Sequence, residues 1–139
     1  MQEPATVQTL IERFTEKEIR LTPQRINVYK YILEHNNHPT IDMVYHALKE
    51  GNPSLSKTTI YNIVEVLGKE KLIRVIRIAD GDVRLDGELD QHAHFHCKEC
   101  GQILNLYLEN LVIPPALNGF RIDEYDIYAA GSCPSCLKK

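Results

Sequence analysis

The sequence lacks any apolar run long enough to cross a membrane, because its longest apolar runs last only a few residues and a spanning helix needs about 20. Residues 1–14 also lack the basic start and the continuous apolar stretch of a secretory signal. We therefore expect no membrane association and a cytoplasmic protein in a reducing compartment. With 43% hydrophobic and 25% charged residues, the composition is that of a globular chain.

A net positive charge is absent as well. The formal charge is -3; residues 1–84 carry 12 Lys and Arg against 11 Asp and Glu, and residues 85–139 carry 4 against 8. Such a chain does not attract polyanions through its overall field. Any binding to nucleic acid must therefore come from a local basic face and from specific contacts.

Cysteine is scarce, and all four cysteines fall in two Cys-x-x-Cys pairs. The pairs are Cys97/Cys100 and Cys133/Cys136, separated by 32 residues. Four thiolates in two such pairs can close a tetrahedral shell, which suits a structural Zn²⁺ with no open position. The Cys-Pro-Ser-Cys pair has the spacing of a redox motif, but no βαβ pattern surrounds it. We predict zinc binding here, and not disulfides or redox chemistry.

Helical periodicity in the first half of the chain changes to a period of two before residue 87. Thr22 before Pro23, and Ser56 ahead of an apolar stripe, have the signature of helix N-caps. Predicted helices cover 6–18, 23–34, 40–49 and 56–70, and predicted strands cover 72–78 and 83–86 around a turn at Asp80-Gly81. Helices followed by one hairpin predict a winged helix whose recognition helix is 56–70.

The remaining residues predict a second, smaller domain. Residues 87–91 are polar and acidic, and we place a hinge there. Strands are predicted at 93–97, 102–108 and 120–130. So short a segment cannot bury a sufficient core alone, and zinc and self-association are the usual sources of further stability. The predicted fold class is α+β, with a winged-helix DNA-binding domain over 1–86 and a zinc-stabilised domain over 92–139.

The outer face of helix 56–70 is polar and offers hydrogen-bonding groups to DNA. Asn62 can bind adenine in the major groove, while Thr and Tyr can contact thymine methyl groups and phosphates. Basic residues nearby are suited to phosphate or minor-groove contacts. The candidate DNA-binding residues are Arg20, Arg25, Lys57, Thr59, Tyr61 and Asn62. The alternative interpretation is an ordinary solvated helix face.

A second metal site is predicted where histidines alternate ahead of the first cysteine pair. His92, His94 and His96 share one face of a strand, and imidazoles at i and i+2 can reach one ion. His38 and Asp86, from the first domain, can complete the site. Such an ion would bridge the two domains and act as a switch. Nitrogen and carboxylate ligands suit Fe²⁺, Mn²⁺, Ni²⁺ or Zn²⁺. The alternative is that these histidines are chance surface residues.

Six motifs in sequence order carry a resemblance to a known family. They are Leu21-Thr22-Pro23-Gln24-Arg25, His38-Pro39-Thr40, Ser56-x-x-Thr59-Ile60-Tyr61-Asn62, His92-x-His94, Cys97-x-x-Cys100-Gly101 and Cys133-x-x-Cys136. Together they resemble the ferric uptake regulator family over nearly the whole chain. The resemblance implies a homodimeric, metal-dependent transcriptional repressor with an α/β dimerisation domain, which binds a palindromic double-stranded DNA operator.

Within that family the chain looks most like the peroxide-responsive branch, because Asp86 and Asn62 match it. The resemblance implies an Fe²⁺ or Mn²⁺ site at His38, Asp86, His92 and His94, with a fifth ligand at position 105. This chain has Asn105 where the branch has a carboxylate, and its amide oxygen can ligate without charge. The resemblance also implies that peroxide oxidises His38 or His92, so that the ion and then the DNA are released.

Three alternatives to a peroxide-sensing repressor remain. The first is an iron- or other metal-responsive repressor without peroxide chemistry, which Asn105 favours. The second is a small metalloenzyme with zinc at His92, His94 and Asp86, but no catalytic zinc motif is present and the helical half would have no role. The third is a zinc-stabilised interaction module. We predict a regulator and not an enzyme.

Overall fold

The computed structural model describes residues 6–35, 37–77, 83–89, 93–106, 114–123 and 125–138. It divides into two compact units, an N-terminal unit of Met1–Leu89 and a C-terminal unit of Asp90–Lys139. None of the helices in the described ranges is long and apolar enough to cross a membrane.

The N-terminal unit contains four capped helices. They are α1 Val7–Glu16, α2 Pro23–Glu34, α3 Ile41–Leu48 and α4 Lys57–Lys69. The residue before each helix is Thr or Ser, and its side-chain oxygen accepts a backbone N–H of the first turn. Such caps satisfy donors that have no partner within the helix. The predicted caps at Thr22 and Ser56 are confirmed.

The core of this unit is apolar and draws on all four helices. The predicted stripe of α4 is buried, with Ile60 and Leu67 inaccessible to solvent. Phe14 of α1 stacks on Tyr29 of α2 with ring centroids 5.6 Å apart. Burying side chains of this size contributes about 1.5–3 kcal/mol each, so this core is the main source of stability of the unit.

A two-stranded hairpin completes the N-terminal unit. Strands β1 Arg74–Arg77 and β2 Val83–Asp86 pair antiparallel. Strand β1 begins later than predicted, because Leu72 and Ile73 are buried in the helical core and only the chain beyond them joins the hairpin. The predicted turn at Asp80-Gly81 lies outside the described residues. Helices α3 and α4 followed by this hairpin form the predicted winged helix.

The C-terminal unit contains a three-stranded sheet. Its strands are β3 Ala93–Cys97, β4 Ile103–Leu106 and β5 Tyr128–Gly131, in the order β4-β3-β5. Strand β3 pairs antiparallel with β4 and parallel with β5. A single turn of 3-10 helix, Pro115–Leu117, and a short helix, α5 Pro134–Leu137, complete the described part of this unit. The predicted α+β fold class is confirmed.

The strand predicted over 120–130 is wrong for most of its length. Of the residues described in that range, only those from Tyr128 onward are in a strand. The pairing edge of β3 runs from His94 to Cys97, and Tyr128–Gly131 fill it. Directly before Tyr128, the Ile127 carbonyl still accepts the His94 N–H at 3.0 Å, but none of the described residues of 120–127 is in a strand. The end of the strand predicted over 102–108 lies outside the described residues.

Candidate metal sites and nucleic-acid interface

The four cysteines form one cluster in the C-terminal unit, as predicted. The Sγ atoms of Cys97 and Cys136 are 3.7 Å apart, those of Cys100 and Cys133 are 3.9 Å apart, and all four lie within 4.8 Å of one another. A tetrahedral Zn²⁺ with Zn–S bonds of about 2.3 Å requires sulfur separations of about 3.8 Å. The cluster therefore has the size of a four-thiolate zinc site.

Local structure brings the two cysteine pairs together. Cys97 ends β3 and Cys100 follows in a turn that closes at Gly101, whose φ of 77° suits glycine. Cys133 precedes α5 and Cys136 lies within it. Because β5 runs beside β3, the two pairs meet at the same end of the sheet.

Backbone donors favour a thiolate at the centre of this cluster. The N–H groups of Cys100 and Cys133 donate to Cys97 Sγ at 3.5 and 3.3 Å, and these bonds lower the pKa of Cys97 to about 6. In contrast, the hydrogen bond with the Cys133 thiol and burial raise the pKa of Cys136. Without an ion the four sulfurs therefore cannot all ionise, whereas a dication among them favours four thiolates.

His38 and Asp86 lie side by side in the N-terminal unit, and both are buried. His38 Nε2 lies 3.6 Å from Asp86 Oδ2, and the two residues are only 2% and 7% exposed. They come together because the Leu85 N–H donates to the Pro39 carbonyl at 2.9 Å. Burying a carboxylate beside an imidazole is costly unless a proton or a metal ion is shared between them.

The backbone of His38 is also strained. His38 has a φ of 53°, which is uncommon for a residue with a side chain and more so before a proline. Arg84 Nη1 donates to the His38 carbonyl at 3.3 Å and ties the loop to β2. Strain of this kind persists where the surroundings fix the conformation, and it is frequent at ligand-binding positions.

His94 and Asn105 form a second pair, within the C-terminal unit. They are directly opposite each other on β3 and β4, so their side chains lie on the same face of the sheet. His94 is 6% exposed. His92 lies outside the described residues. His96 shares the face of His94, and its Nδ1 lies 3.3 Å from the hydroxyl of Tyr128, a partner that the sequence did not indicate.

The candidate DNA-binding face of α4 combines exposed and engaged side chains. Tyr61 is 58% exposed and Asn62 is also exposed. The Thr59 hydroxyl lies 2.9 Å from that of Ser56, and its N–H donates to the same oxygen, so Thr59 is part of the helix cap.

The basic candidates also have partners. Lys57 Nζ pairs with Asp42 of α3 and lies 5.6 Å from the centre of the Tyr45 ring. Arg25 Nη1 donates to the Arg20 carbonyl at 3.0 Å, so these two residues sit together at the start of α2. The hydrogen bond with Lys57 lowers the pKa of Asp42, so this carboxylate stays charged. No local sequence pattern indicates the Asp42–Lys57 pair, because it depends on how α3 packs on α4.

Comparison with known proteins assigns the chain to a family. The Ferric uptake regulator family model matches residues 16–115. The peroxide operon regulator of Bacillus subtilis (strain 168) is 29% identical over 133 residues, which cover 93% of this chain and 92% of that protein. The peroxide-responsive repressor PerR of Staphylococcus aureus (strain Mu50 / ATCC 700699) is 29% identical over 125 residues, or 87% of this chain and 84% of that protein.

The fold has solved counterparts. The structure of the Helicobacter pylori ferric uptake regulator covers the whole chain, with a TM-score of 0.76 at 18% identity, and 99% of that structure is matched. Together with the four-cysteine cluster, this fold is that of a metal-binding winged-helix protein. The chain belongs to the ferric uptake regulator family, whose members are metal-responsive transcriptional regulators and not enzymes.

Proposed function

We propose that this protein is a peroxide-sensing, metal-dependent repressor that binds a palindromic operator as a homodimer in the cytoplasm. The observation that carries the proposal is the buried His38–Asp86 pair, held at 3.6 Å in a strained loop of the winged-helix unit. A buried carboxylate beside an imidazole is costly unless a proton or a metal ion is shared between them. Similarity to peroxide-responsive regulators over most of the chain supports the same function.

The regulatory ion is proposed to be Fe²⁺ or Mn²⁺. His38 and Asp86 would bind it from the N-terminal unit, and His94 with its strand neighbour Asn105 from the C-terminal unit. His92, two residues before His94, is a further proposed ligand, and Asn105 is the fifth. Imidazoles together with one carboxylate are suitable ligands for Fe²⁺ or Mn²⁺, whereas four thiolates favour Zn²⁺. We therefore propose Zn²⁺ for the four-cysteine cluster.

The role of the ion would be to fix the DNA-binding unit. Metal binding energy that depends on ligands from both units stabilises one arrangement of the chain over others. In that arrangement Tyr61 and Asn62 of α4 would contact bases in the major groove. Arg20, Arg25, Lys57 and Thr59 would contact phosphates and fix the position on the duplex.

Homodimerisation is proposed to use the C-terminal unit. Several of its large apolar side chains are exposed, with Phe120 68% and Tyr128 42% accessible to solvent. Exposed apolar groups of this size, on a unit with little core of its own, favour association with a second copy. A symmetric dimer would present two winged helices to the two halves of a palindrome.

Peroxide sensing would act through the ligand histidines. Fe²⁺, when bound, would supply the chemistry that cleaves the O–O bond of peroxide next to its ligands, with one of the two oxygen atoms leaving as water. His38 and His92 are the proposed sites where an oxygen atom is then added to the imidazole. An oxidised ring is a poorer ligand, so the ion would be lost and the DNA released.

A titration on DNA tests this proposal. Zinc-loaded protein would select sites from a random duplex pool with Mn²⁺, and those sites would then be titrated with Mn²⁺ or Fe²⁺, with and without peroxide. We expect tight binding with either ion, and release by peroxide only with Fe²⁺. The peptides carrying His38 or His92 should then gain the mass of one oxygen atom. Release without that gain would contradict the sensing step.

Asn105 favours a second candidate, a metal-responsive repressor without peroxide chemistry. A neutral amide opposite His94 holds a cation less strongly than a carboxylate, so in this candidate the ion is exchanged rather than oxidised in place. In that case a chelator would release the DNA and peroxide would not. Asn105→Asp provides the matched comparison, because it restores the charge at the same position. Peroxide release only in Asn105→Asp would establish the second candidate.

A further inference from the structure

Gly87, immediately after Asp86, packs against helix α2 more closely than a side chain would allow. A Cβ at Gly87 would lie 2.8 Å from Leu33 Cδ2, 3.3 Å from Leu33 Cα and 3.4 Å from the Ile32 carbonyl oxygen. Its φ lies outside the left-handed region, so lack of space and not backbone conformation excludes a side chain. The end of α2 thus serves as a support for the residue that follows Asp86.

The turn that contains Gly87 is held at both ends within the N-terminal unit. The Glu88 N–H donates to Asp86 Oδ1 at 2.9 Å, and Arg74 Nη2 donates to the Leu89 carbonyl at 3.1 Å. The first bond fixes one carboxylate oxygen and leaves Oδ2 facing His38 Nε2. The direction of Oδ2 therefore depends on where the turn sits against α2.

His38, the other member of the pair with Asp86, is held in place by a separate set of contacts. Contacts of Leu85 and Arg84 with the carbonyls of Pro39 and His38 attach the His38 loop to β2. The imidazole cannot follow if the carboxylate moves, because its backbone is already in a strained conformation that these contacts maintain. A small shift of the turn would therefore change the distance between the two groups.

We infer that Gly87 is a positioning residue for the regulatory ion and acts through Asp86. The inference rests on the regulatory site of the proposed function. Without a Cβ, the turn at 86–89 packs on α2 and aims the Asp86 carboxylate at His38. With a Cβ, the Leu33 methyl group has to shift, and the backbone contacts with Leu33 Cα at 3.3 Å and the Ile32 carbonyl at 3.4 Å push the turn and its carboxylate by a few tenths of an ångström. Loss of an outer-shell contact of this kind typically lowers metal affinity about 10–100-fold.

Gly87→Ala in the full-length, zinc-loaded protein tests the inference, with Mn²⁺ as the probe. Free Mn²⁺ measured by electron paramagnetic resonance gives the affinity, and elemental analysis gives the zinc content. We expect Mn²⁺ to bind about 10-fold more weakly or worse, with the zinc content unchanged. The matched control is Gly51→Ala, because a Cβ at Gly51 meets nothing within 4 Å. A folded Gly87→Ala with wild-type Mn²⁺ affinity would overturn the inference.

A second substitution separates positioning from general destabilisation. Leu33→Ala removes the atom 2.8 Å from the new Cβ, so the double variant Gly87→Ala/Leu33→Ala should recover most of the Mn²⁺ affinity. If the two substitutions destabilised the protein independently, their effects on Mn²⁺ binding would instead add, and the double variant would bind more weakly than either single variant. A double variant that binds Mn²⁺ as weakly as Gly87→Ala, or more weakly, would overturn the inference.

A variant of the turn itself covers the case in which Gly87→Ala does not fold. Glu88→Pro removes the N–H that holds Asp86 Oδ1, and Glu88→Ala serves as the reference for loss of the side chain. We expect weaker Mn²⁺ binding in Glu88→Pro than in Glu88→Ala, and equal binding would count against the inference. If the wild-type protein bound no Mn²⁺ beyond its zinc, the proposed function and not this inference would fail.

Discussion

The two units of this chain are stabilised in different ways. In the N-terminal unit, apolar side chains from four helices and the hairpin form one continuous core. In the C-terminal unit, the buried cluster among the described residues consists of Cys97, Cys133 and Cys136, with Phe95 and Leu104 packed against it. The first unit is therefore held by hydrophobic burial, whereas the second depends on what the thiolates bind.

The largest effect should follow from breaking the four-cysteine cluster. Cys136→Ser removes a buried thiolate, and structural zinc contributes about 10–16 kcal/mol of apparent binding free energy in small zinc domains. We expect loss of zinc and unfolding of the C-terminal unit, while the helices of the N-terminal unit remain. Zinc content and amide NMR spectra would measure the two effects.

Ser135→Ala is the matched control for this change, because Ser135 is exposed and lies beside Cys136 in α5. It should keep both the zinc and the fold. If Cys136→Ser left the NMR signals of the C-terminal unit in place, the contrast between the two units would be wrong.

A smaller effect should come from the apolar core of the N-terminal unit. Leu67 is fully buried, so Leu67→Ala should lower the free energy of unfolding of this unit by about 2–5 kcal/mol. Circular dichroism during urea unfolding would measure this decrease, since among the described residues every helix of eight or more residues lies in this unit. The decrease in the free energy of unfolding should be the same with and without zinc. The exposed Val7→Ala, as a control, should change stability by about 0.5 kcal/mol or less.

The smallest effect concerns the charge of the DNA-binding face. Asp42 pairs with Lys57 at the start of α4, so Asp42→Asn would free a cation for a phosphate. DNA binding should then depend more steeply on salt, with the log–log slope changing by about 1 for each Lys57 that is freed. Measuring affinity at several salt concentrations would test this. If Asp42→Asn changed the salt dependence equally in a variant that already carries Lys57→Ala, this prediction would be contradicted.

Local signals predicted the parts of the fold that depend on short stretches of sequence. Caps at Thr22 and Ser56, and the apolar stripe from Ile60 to Leu67, specified helices because each signal lies within one or two turns. The spacing within each Cys-x-x-Cys pair is a local signal of the same kind, whereas the meeting of the two pairs depends on β5 lying beside β3. Pro134 directly after Cys133 was an available signal for α5 that we did not use.

Features that depend on a distant partner were less predictable. The segment 120–130 has the alternation of a strand, but among its described residues only those from Tyr128 onward form one, beside β3. Likewise, the packing of Gly87 against Leu33 depends on how β2 leaves the hairpin, which no local pattern encodes. Sequence periodicity predicts which face of a helix or strand is buried. Which other element packs against that face depends on the whole fold.

The most direct test of two metals with separate roles is a DNA titration at constant zinc. Protein with its four-cysteine cluster filled would be titrated with Mn²⁺ on selected DNA sites, beside the variant His94→Ala. We predict that Mn²⁺ raises the affinity of the wild-type protein about 10³-fold or more over non-specific binding, while His94→Ala does not respond. Equal affinity of the wild-type protein with and without Mn²⁺ would contradict the account.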